Sequence, residues 1–581
     1  MTQRDDSKTG TTLGDSPDMW GAARVRGDGG ERGAWFREGR FALFIHWGLY
    51  SEAAGIWNGR THYAIAEWLM HAARIPARDY ATLAARFNPV DFDAAAWVRL
   101  AQEAGMKYVV ITAKHHDGFA MFKSKASGFN VVDATPFGRD PIRELADACR
   151  QAGLKLGFYY SQFQDWHEPD AGGNSWDFSV PGDFSRYLRE KALPQIRELL
   201  TNVGPVGLIW FDTPGQISPE ASRDLLDLVR SLQPDCLVNS RIGNGLGDYA
   251  TLGDQEVPLT APEGLWETID THNDTWGYAL NDHNWKSARE LIGRLARLVS
   301  LGGNYMLNVG PTGKGVIPEA SASILREVGV WLRKNGNSIY GAGRSPVGLQ
   351  PWGCSTRRGS SLYLHLLNWP SNGLVRVPGL DGVSEKARFL ATGKPLRLLR
   401  RKGHLCLRLP ARPPDAPVTV IEIELSGEPP VIAPGAHLHG GLRNEFGAPF
   451  AQLTGCRCLK RSWMEKFGDW QHTDLIGEWA AGSEACWTFT ALEAGRFEVY
   501  ADYECRPEGD GSDCEIAVAG QRWTFPLIYT GGGNGLRTRL RSVRIGMADV
   551  PKGPARLRLR GLEIRGENAL FLQKIVLVPS T

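Results

Sequence analysis

Between residues 35 and 340, seven short apolar runs recur with longer amphipathic stretches between them, and this alternation limits the fold more than any other feature of the chain. The runs lie at 41–46 (FALFIH), 108–113 (YVVITA), 154–160 (LKLGFYY), 206–211 (VGLIWF), 236–239 (CLVN), 265–269 (LWETI) and 304–309 (NYMLNV). Uninterrupted apolar runs of this length read as strands covered on both faces. The stretches 93–104, 140–152, 185–200, 219–232 and 284–300 read as helices, with Asp93 and Asp140 placed to cap the first two. Strand, helix and strand in regular order imply parallel pairing. Seven candidates fit an α/β fold of the (β/α)8-like barrel type, irregular or with one strand missed, better than a six-stranded open sheet. No GxGxxG follows the first run, which counts against a dinucleotide-binding sheet.

After residue 340 the period shortens. Runs at 361–368, 395–399, 404–409 and 418–425, separated by Gly, Pro and Asp, read as an antiparallel β domain. Residues 431–476 read as a linker or edge region, and 477–581 as a second β-sandwich, either structural or a carbohydrate-binding-like module. The expected domains are thus a flexible segment 1–30, a catalytic barrel 31–342, a β domain 343–430, and the linker and sandwich that follow. The run at 531–534 (GGGN) suggests a turn.

The net charge of +2 gives no excess that would draw the chain to nucleic acid or to a membrane surface. No signal-like apolar run follows a basic start, and the nine cysteines are odd in number. The expectation is a cytoplasmic protein with reduced thiols, a periplasmic or secreted location staying open. The oligomeric state is not legible. Cys456 and Cys458 form a CxC without the second pair that a zinc site needs.

Barrel chemistry gathers at the C-terminal ends of strands. Those ends carry His46, the run Lys114-His115-His116-Asp117, Tyr159-Tyr160, Asp212, Asn239 and Glu267, polar groups that a barrel interior does not require. The set holds carboxylates and imidazoles but no activated serine or cysteine. It suits glycosyl transfer to water, with one carboxylate as nucleophile and one carboxylic acid as proton donor. Metal-assisted hydrolysis is the weaker reading, since there is no HExxH, and adjacent histidines on a strand point to opposite faces unless the chain turns there. No metal and no cofactor is expected. Tryptophans 47, 57, 68, 166, 210, 266, 276 and 285 stand beside or between the strand ends and suit sugar rings as well as cores.

The strings FIHWG (44–48), Glu67-Trp68, YVVITAKHHDGF (108–119), VGLIWFD (206–212) and GGNYMLNVGP (302–311) resemble glycoside hydrolase family 29, the alpha-L-fucosidases. The resemblance runs on into LYLHLLNWP (362–370). It implies a retaining alpha-L-fucosidase acting on a fucosylated oligosaccharide or glycoconjugate. By the same resemblance Asp212 is the nucleophile. His46, Glu67, Trp68, His115 and His116 hold the fucose hydroxyls, Trp210 lines the pocket, and Tyr159 is a further addition. The family's acid/base lies some forty-odd residues after the nucleophile on a variable loop. Glu256, 44 residues beyond Asp212, fits that placement first, with Glu267 as the rival and Asp254 third. Arg241 could neutralise charge or anchor this loop. Segment 239–276 looks more like the subgroup restricted to branched alpha-1,3/1,4-linked fucose. A hydrolase of another alpha-L-glycoside such as an alpha-L-galactoside, and a catalytically silent glycan-binding protein, are the alternative functions.

Overall fold

The computed structural model describes residues 29–178, 182–531, 537–566 and 569–580. Most of the segment 1–30, most of the 531–534 run and residues 179–181 of the loop after the third barrel strand therefore lie outside the described residues. The chain divides into two compact units, one of residues Met1–Gly336 with Met464–Trp470, the other of Asn337–Trp463 with Gln471–Thr581.

The first unit is built on eight parallel strands: β1 (Phe41–Ile45), β2 (Tyr108–Lys114), β3 (Lys155–Tyr160), β4 (Leu208–Phe211), β5 (Leu237–Val238), β6 (Ala250–Thr251), β7 (Trp266–Thr271) and β8 (Asn304–Val309). Their order is β5-β4-β3-β2-β1-β8-β7-β6. A parallel bridge between Asn239 and Tyr249 joins the two ends, so the ring closes in sequence order. The strand missing from the sequence reading is β6, only two residues long.

All five residues of β1 and all seven of β2 are buried. Because alternate side chains face opposite sides of a strand, Ala42, Phe44, Tyr108 and Val110 fill the barrel with Tyr159, Leu208, Trp210, Ile269 and Met306. The residues between them face the helices, which is why the runs are apolar without interruption. Helices α1 (Ala94–Glu103), α2 (Pro141–Ala152), α3 (Leu193–Asn202), α4 (Pro219–Leu232), α5 (Ala288–Ser300) and α6 (Glu319–Asn335) follow the pattern of the amphipathic stretches. Asp93 and Asp140 do cap α1 and α2, accepting from the N–H of Ala96 and of Arg143, both at 3.0 Å. Caps of this kind contribute about 0.5–2 kcal/mol each. Among the described residues no helix is long and apolar enough to cross a membrane.

The second unit is antiparallel β. Strands Gly353–Arg358, Ser361–Leu366, Thr419–Leu425, Ser384–Phe389 and Pro395–Leu396 form one sheet, and Leu374–Pro378, His404–Arg408 and Leu398–Arg401 a smaller one. Both close over a core that includes Trp352, Leu364 and Ile421. Two larger sheets enclose a second core around Trp487, Phe489, Val499 and Leu557. Of the linker or edge region expected at 431–476, the linker does not hold, while His437–Leu438 and Arg457–Met464 do lie at sheet edges. Instead of a linker, residues 431–476 supply the strands His437–Leu438, Asn444–Gly447, Gln452–Thr454, Arg457–Met464 and Trp470–Gly477, which all enter those two sheets. The Gly and Pro residues that suggested a linker sit in the short turns between them.

Candidate active site

The strands deliver side chains to one end of the barrel. His46 follows β1, and its Nδ1 lies 2.7 Å from Asn308 Oδ1 on β8. The register of β2 against β3 shifts between Thr112 and Lys114, and the chain turns after Lys114. That irregularity answers the objection that neighbouring histidines face apart. His115 and His116 both reach the site, with ring centroids 4.2 Å apart. His115 stacks on Tyr159 at 5.0 Å, and Tyr159 stacks in turn on Trp210 at 5.3 Å.

Burial holds His46 down at about 4 and His116 at about 3, and lowers His115 well below the usual histidine range. All three are therefore neutral imidazoles, each with one donor and one acceptor nitrogen. His116 Nδ1 is satisfied by Ser161 Oγ at 2.6 Å. His116 Nε2 and His115 Nδ1 are buried and have no hydrogen-bond partner among the described residues. Buried polar atoms without partners cost free energy and call for a polar ligand.

Asp212, directly after β4, is ringed by donors. Tyr159 donates its hydroxyl to Oδ2 at 2.9 Å, Arg241 donates from Nη1 to Oδ1 at 2.7 Å, and His116 Nε2 stands 3.7 Å from Oδ2. Burial alone would raise this carboxyl. The Arg241 cation, His116 and the two hydrogen bonds overcome that effect and hold it below the usual aspartate range. The second fork of Arg241, Nη2, donates to Asp254 Oδ1 at 2.7 Å and to the Leu252 carbonyl at 2.9 Å. For Asp254 burial prevails over the pull of Arg241, the charge of Asp212 adds to the rise, and the carboxyl stands at about 6. One guanidinium thus spans two carboxyl groups with opposite tendencies (one ionised, one able to carry a proton near neutrality). Such a pair can attack with one member and protonate with the other.

Glu67 lies in a short 3-10 turn, Ala66–Trp68, and accepts from the Gly277 N–H at 2.7 Å. Burial pushes it up to about 8 against that bond, with the charges of Asp254 and Asp212 adding to the rise. Trp68 meets His116 edge-on at 5.1 Å, and Trp276 lies 5.3 Å from His46.

Two sequence expectations fare differently. Glu256 turns its Oε2 back onto the Gly253 N–H at 3.1 Å, closing its own loop. Glu267 is the second residue of β7 and not at its C-terminal end, because the strand continues to Thr271. Its Oε1 accepts from Trp210 Nε1 at 2.7 Å and from Thr251 Oγ1 at 3.0 Å, inside the barrel, where burial raises it to about 7.

Other strand-end residues serve the frame. Lys114 pairs with Asp165, Tyr160 donates to Gln195, Tyr80 donates to Asp117, and Asn239 exchanges hydrogen bonds with the Phe211 backbone. Trp47, Trp166 and Trp266 are buried core. Trp276 and Asn308 belong to the site without having been singled out as site residues from sequence. Trp276 stood among the flanking tryptophans, and Asn308 interrupts an apolar run at an inward position.

A family model described as alpha-L-fucosidase matches residues 28–337. The human tissue alpha-L-fucosidase is 32% identical over 379 residues, 59% of this chain and 77% of the relative. The crystal structure of an alpha-L-fucosidase from Vibrio sp. strain EJY3 superposes with a TM-score of 0.78 at 31% identity, covering 95% of this chain and 98% of that one. Alpha-L-fucosidase isoenzyme 1 from Paenibacillus thiaminolyticus gives 0.64 at 38% identity, over 68% of this chain and 99% of its own. Sequence, barrel and site agree, and the chain belongs to the alpha-L-fucosidase family, glycoside hydrolase family 29.

Proposed function

We propose that this alpha-L-fucosidase retains anomeric configuration, with Asp212 as nucleophile and Asp254, in place of Glu256, as the acid/base. The observation that carries the pair is Arg241, whose two nitrogens bond one carboxylate each while their proton affinities move apart. The ionised Asp212 attacks the anomeric carbon as the protonated Asp254 gives its proton to the departing glycosidic oxygen. A covalent fucosyl-enzyme forms, and Asp254, now a base, takes a proton from the water that releases fucose. His46, His115 and His116 as neutral imidazoles, and Glu67 as a neutral acid, are suited to hydroxyl recognition. Trp68 and Trp210 supply apolar walls, and Tyr159 orients the nucleophile through its hydroxyl. For linkage, segment 239–276 supports branched alpha-1,3/1,4-linked fucose, which hydrolysis of branched against linear fucosylated trisaccharides tests.

The mechanism is tested by a rescue series with azide. Asp212→Gly should lose activity and, with azide and an activated aryl fucoside, yield the beta-fucosyl azide. Asp254→Ala should keep turnover of activated aryl fucosides, lose about 10²–10⁴-fold on unactivated glycosides, and yield the alpha-fucosyl azide. If Glu256→Ala or Glu267→Ala gives that second pattern and Asp254→Ala does not, Asp254 is not the acid.

A further inference from the structure

Asp254 lies in a loop without regular structure, between β6 and β7. Its neighbour Gln255 has φ +62°, a left-handed conformation that a non-glycine residue keeps only under restraint from its surroundings. Three hydrogen bonds supply that restraint. The Gln255 N–H donates to the Ile269 carbonyl at 2.8 Å, and Nε2 donates to Thr271 Oγ1 at 2.6 Å, both on β7. The third comes from far along the chain, where the backbone N–H of Trp470 donates to Gln255 Oε1.

Trp470 ends the segment Met464–Trp470, which stands in sequence among the strands of the second unit yet belongs to the first. The same segment meets the loop that leads to Glu67 and Trp68. Gly468 has φ +99°, and a Cβ there would come within 2.7 Å of Ile65 Cγ1. The Phe467 ring lies 5.3 Å from Tyr63, and the Lys466 ammonium 5.6 Å from the same ring. Ile65 immediately precedes the turn Ala66–Trp68.

We propose that residues 464–470 are a positioning element for the proton donor, tying the loop of Asp254 to the loop of Glu67 and Trp68 so that the Asp254 carboxyl is fixed against the glycosidic oxygen. The inference rests on the assignment of Asp254 as acid. Gln255 and Trp470 act through Asp254 and do not touch the reacting atoms. Their effect belongs to protonation of the leaving group, and it matters most where the leaving group is poor.

The test compares Gln255→Ala, Gly468→Val, Gln255→Glu and Asp254→Ala in the full chain. Each is assayed on an unactivated fucosylated trisaccharide and on an aryl fucoside with a good leaving group, with near-ultraviolet circular dichroism as the check on folding. Gln255→Ala and Gly468→Val should lower kcat on the trisaccharide by about ten- to a hundredfold. They should leave the aryl fucoside within about threefold, change KM little, and displace the alkaline limb of the pH profile. Gln255→Glu keeps the acceptor for the Trp470 N–H but loses the donor to Thr271 Oγ1, and should restore part of the loss. If Gly468→Val does not fold, Gln255→Ala decides alone. An equal loss on both substrates, or no loss on either, overturns the positioning role. Should Asp254→Ala itself fail to discriminate between leaving groups, the acid assignment falls first. Discrimination by Asp254→Ala together with none by the Gln255 and Gly468 variants removes the positioning role alone.

Discussion

Tyr159 stacks on both His115 and Trp210, and its hydroxyl donates to Asp212. Tyr159→Phe keeps the stacking and removes one donor from the carboxylate. A hydrogen bond to a charged group contributes about 1.5–3 kcal/mol, so the Asp212 carboxyl should bind its proton more tightly. The acid limb of the kcat/KM profile should move up by about one pH unit, measured on an activated aryl fucoside; an unmoved limb would deny the hydroxyl that role. Glu67, at about 8, is neutral at pH 7. Glu67→Gln preserves an uncharged acceptor for the Gly277 N–H and should retain activity within about tenfold, while Glu67→Ala leaves that donor unpaired and loses more; steady-state kinetics on both variants check the order. Sequence favoured Glu256 as the acid, with Glu267 as the rival and Asp254 third, and the geometry that supports Asp254 is set by the backbone between them. The turn at Gln255 sends Asp254 to Arg241 and Glu256 back to Gly253, and no residue pattern in Asp254-Gln255-Glu256 announces a left-handed backbone.

At the scale of elements, the end of β2 is held by a buried charge cluster. Lys114 and Lys191 both pair with Asp165, at 3.2 and 2.9 Å, and Lys191 also with Glu168. Burial would raise Asp165, but the two lysines bring it down to about 2. Asp165→Asn removes the charge that compensates two buried ammonium groups and should cost about 3–5 kcal/mol, read from denaturant unfolding; a loss below about 1 kcal/mol would show that the cluster does not fix the histidine turn. The sign with pH follows from the lowered carboxyl. The contribution of Asp165 is complete above the ordinary aspartate range and fades as pH falls through it toward 2. Seven strands were legible because both of their faces are covered by apolar groups. β6 was not, since two residues carry no period, and Glu267 looked like a strand end because Asp270 and Thr271 dilute the apolar signal of β7.

For the whole molecule, a barrel followed by β domains could be read from the change of period near residue 340. The boundary at 431–476 could not. Short strands separated by glycine and proline look like a linker until their partners, which lie more than a hundred residues later for Asn444–Gly447, are known. Likewise nothing local to Met464–Trp470 says that it belongs with a barrel that ended at Gly336.

Catalysis by this pair requires Asp212 to be ionised while Asp254 carries a proton, and the pH dependence of kcat/KM on an unactivated fucosylated trisaccharide tests that requirement. The wild-type profile should be bell-shaped, its acid limb below the ordinary aspartate range and its alkaline limb near 6, where Asp254 loses its proton. In Asp254→Asn the alkaline limb should vanish and the acid limb remain. An alkaline limb that survives in Asp254→Asn and disappears in Glu256→Gln would contradict the account.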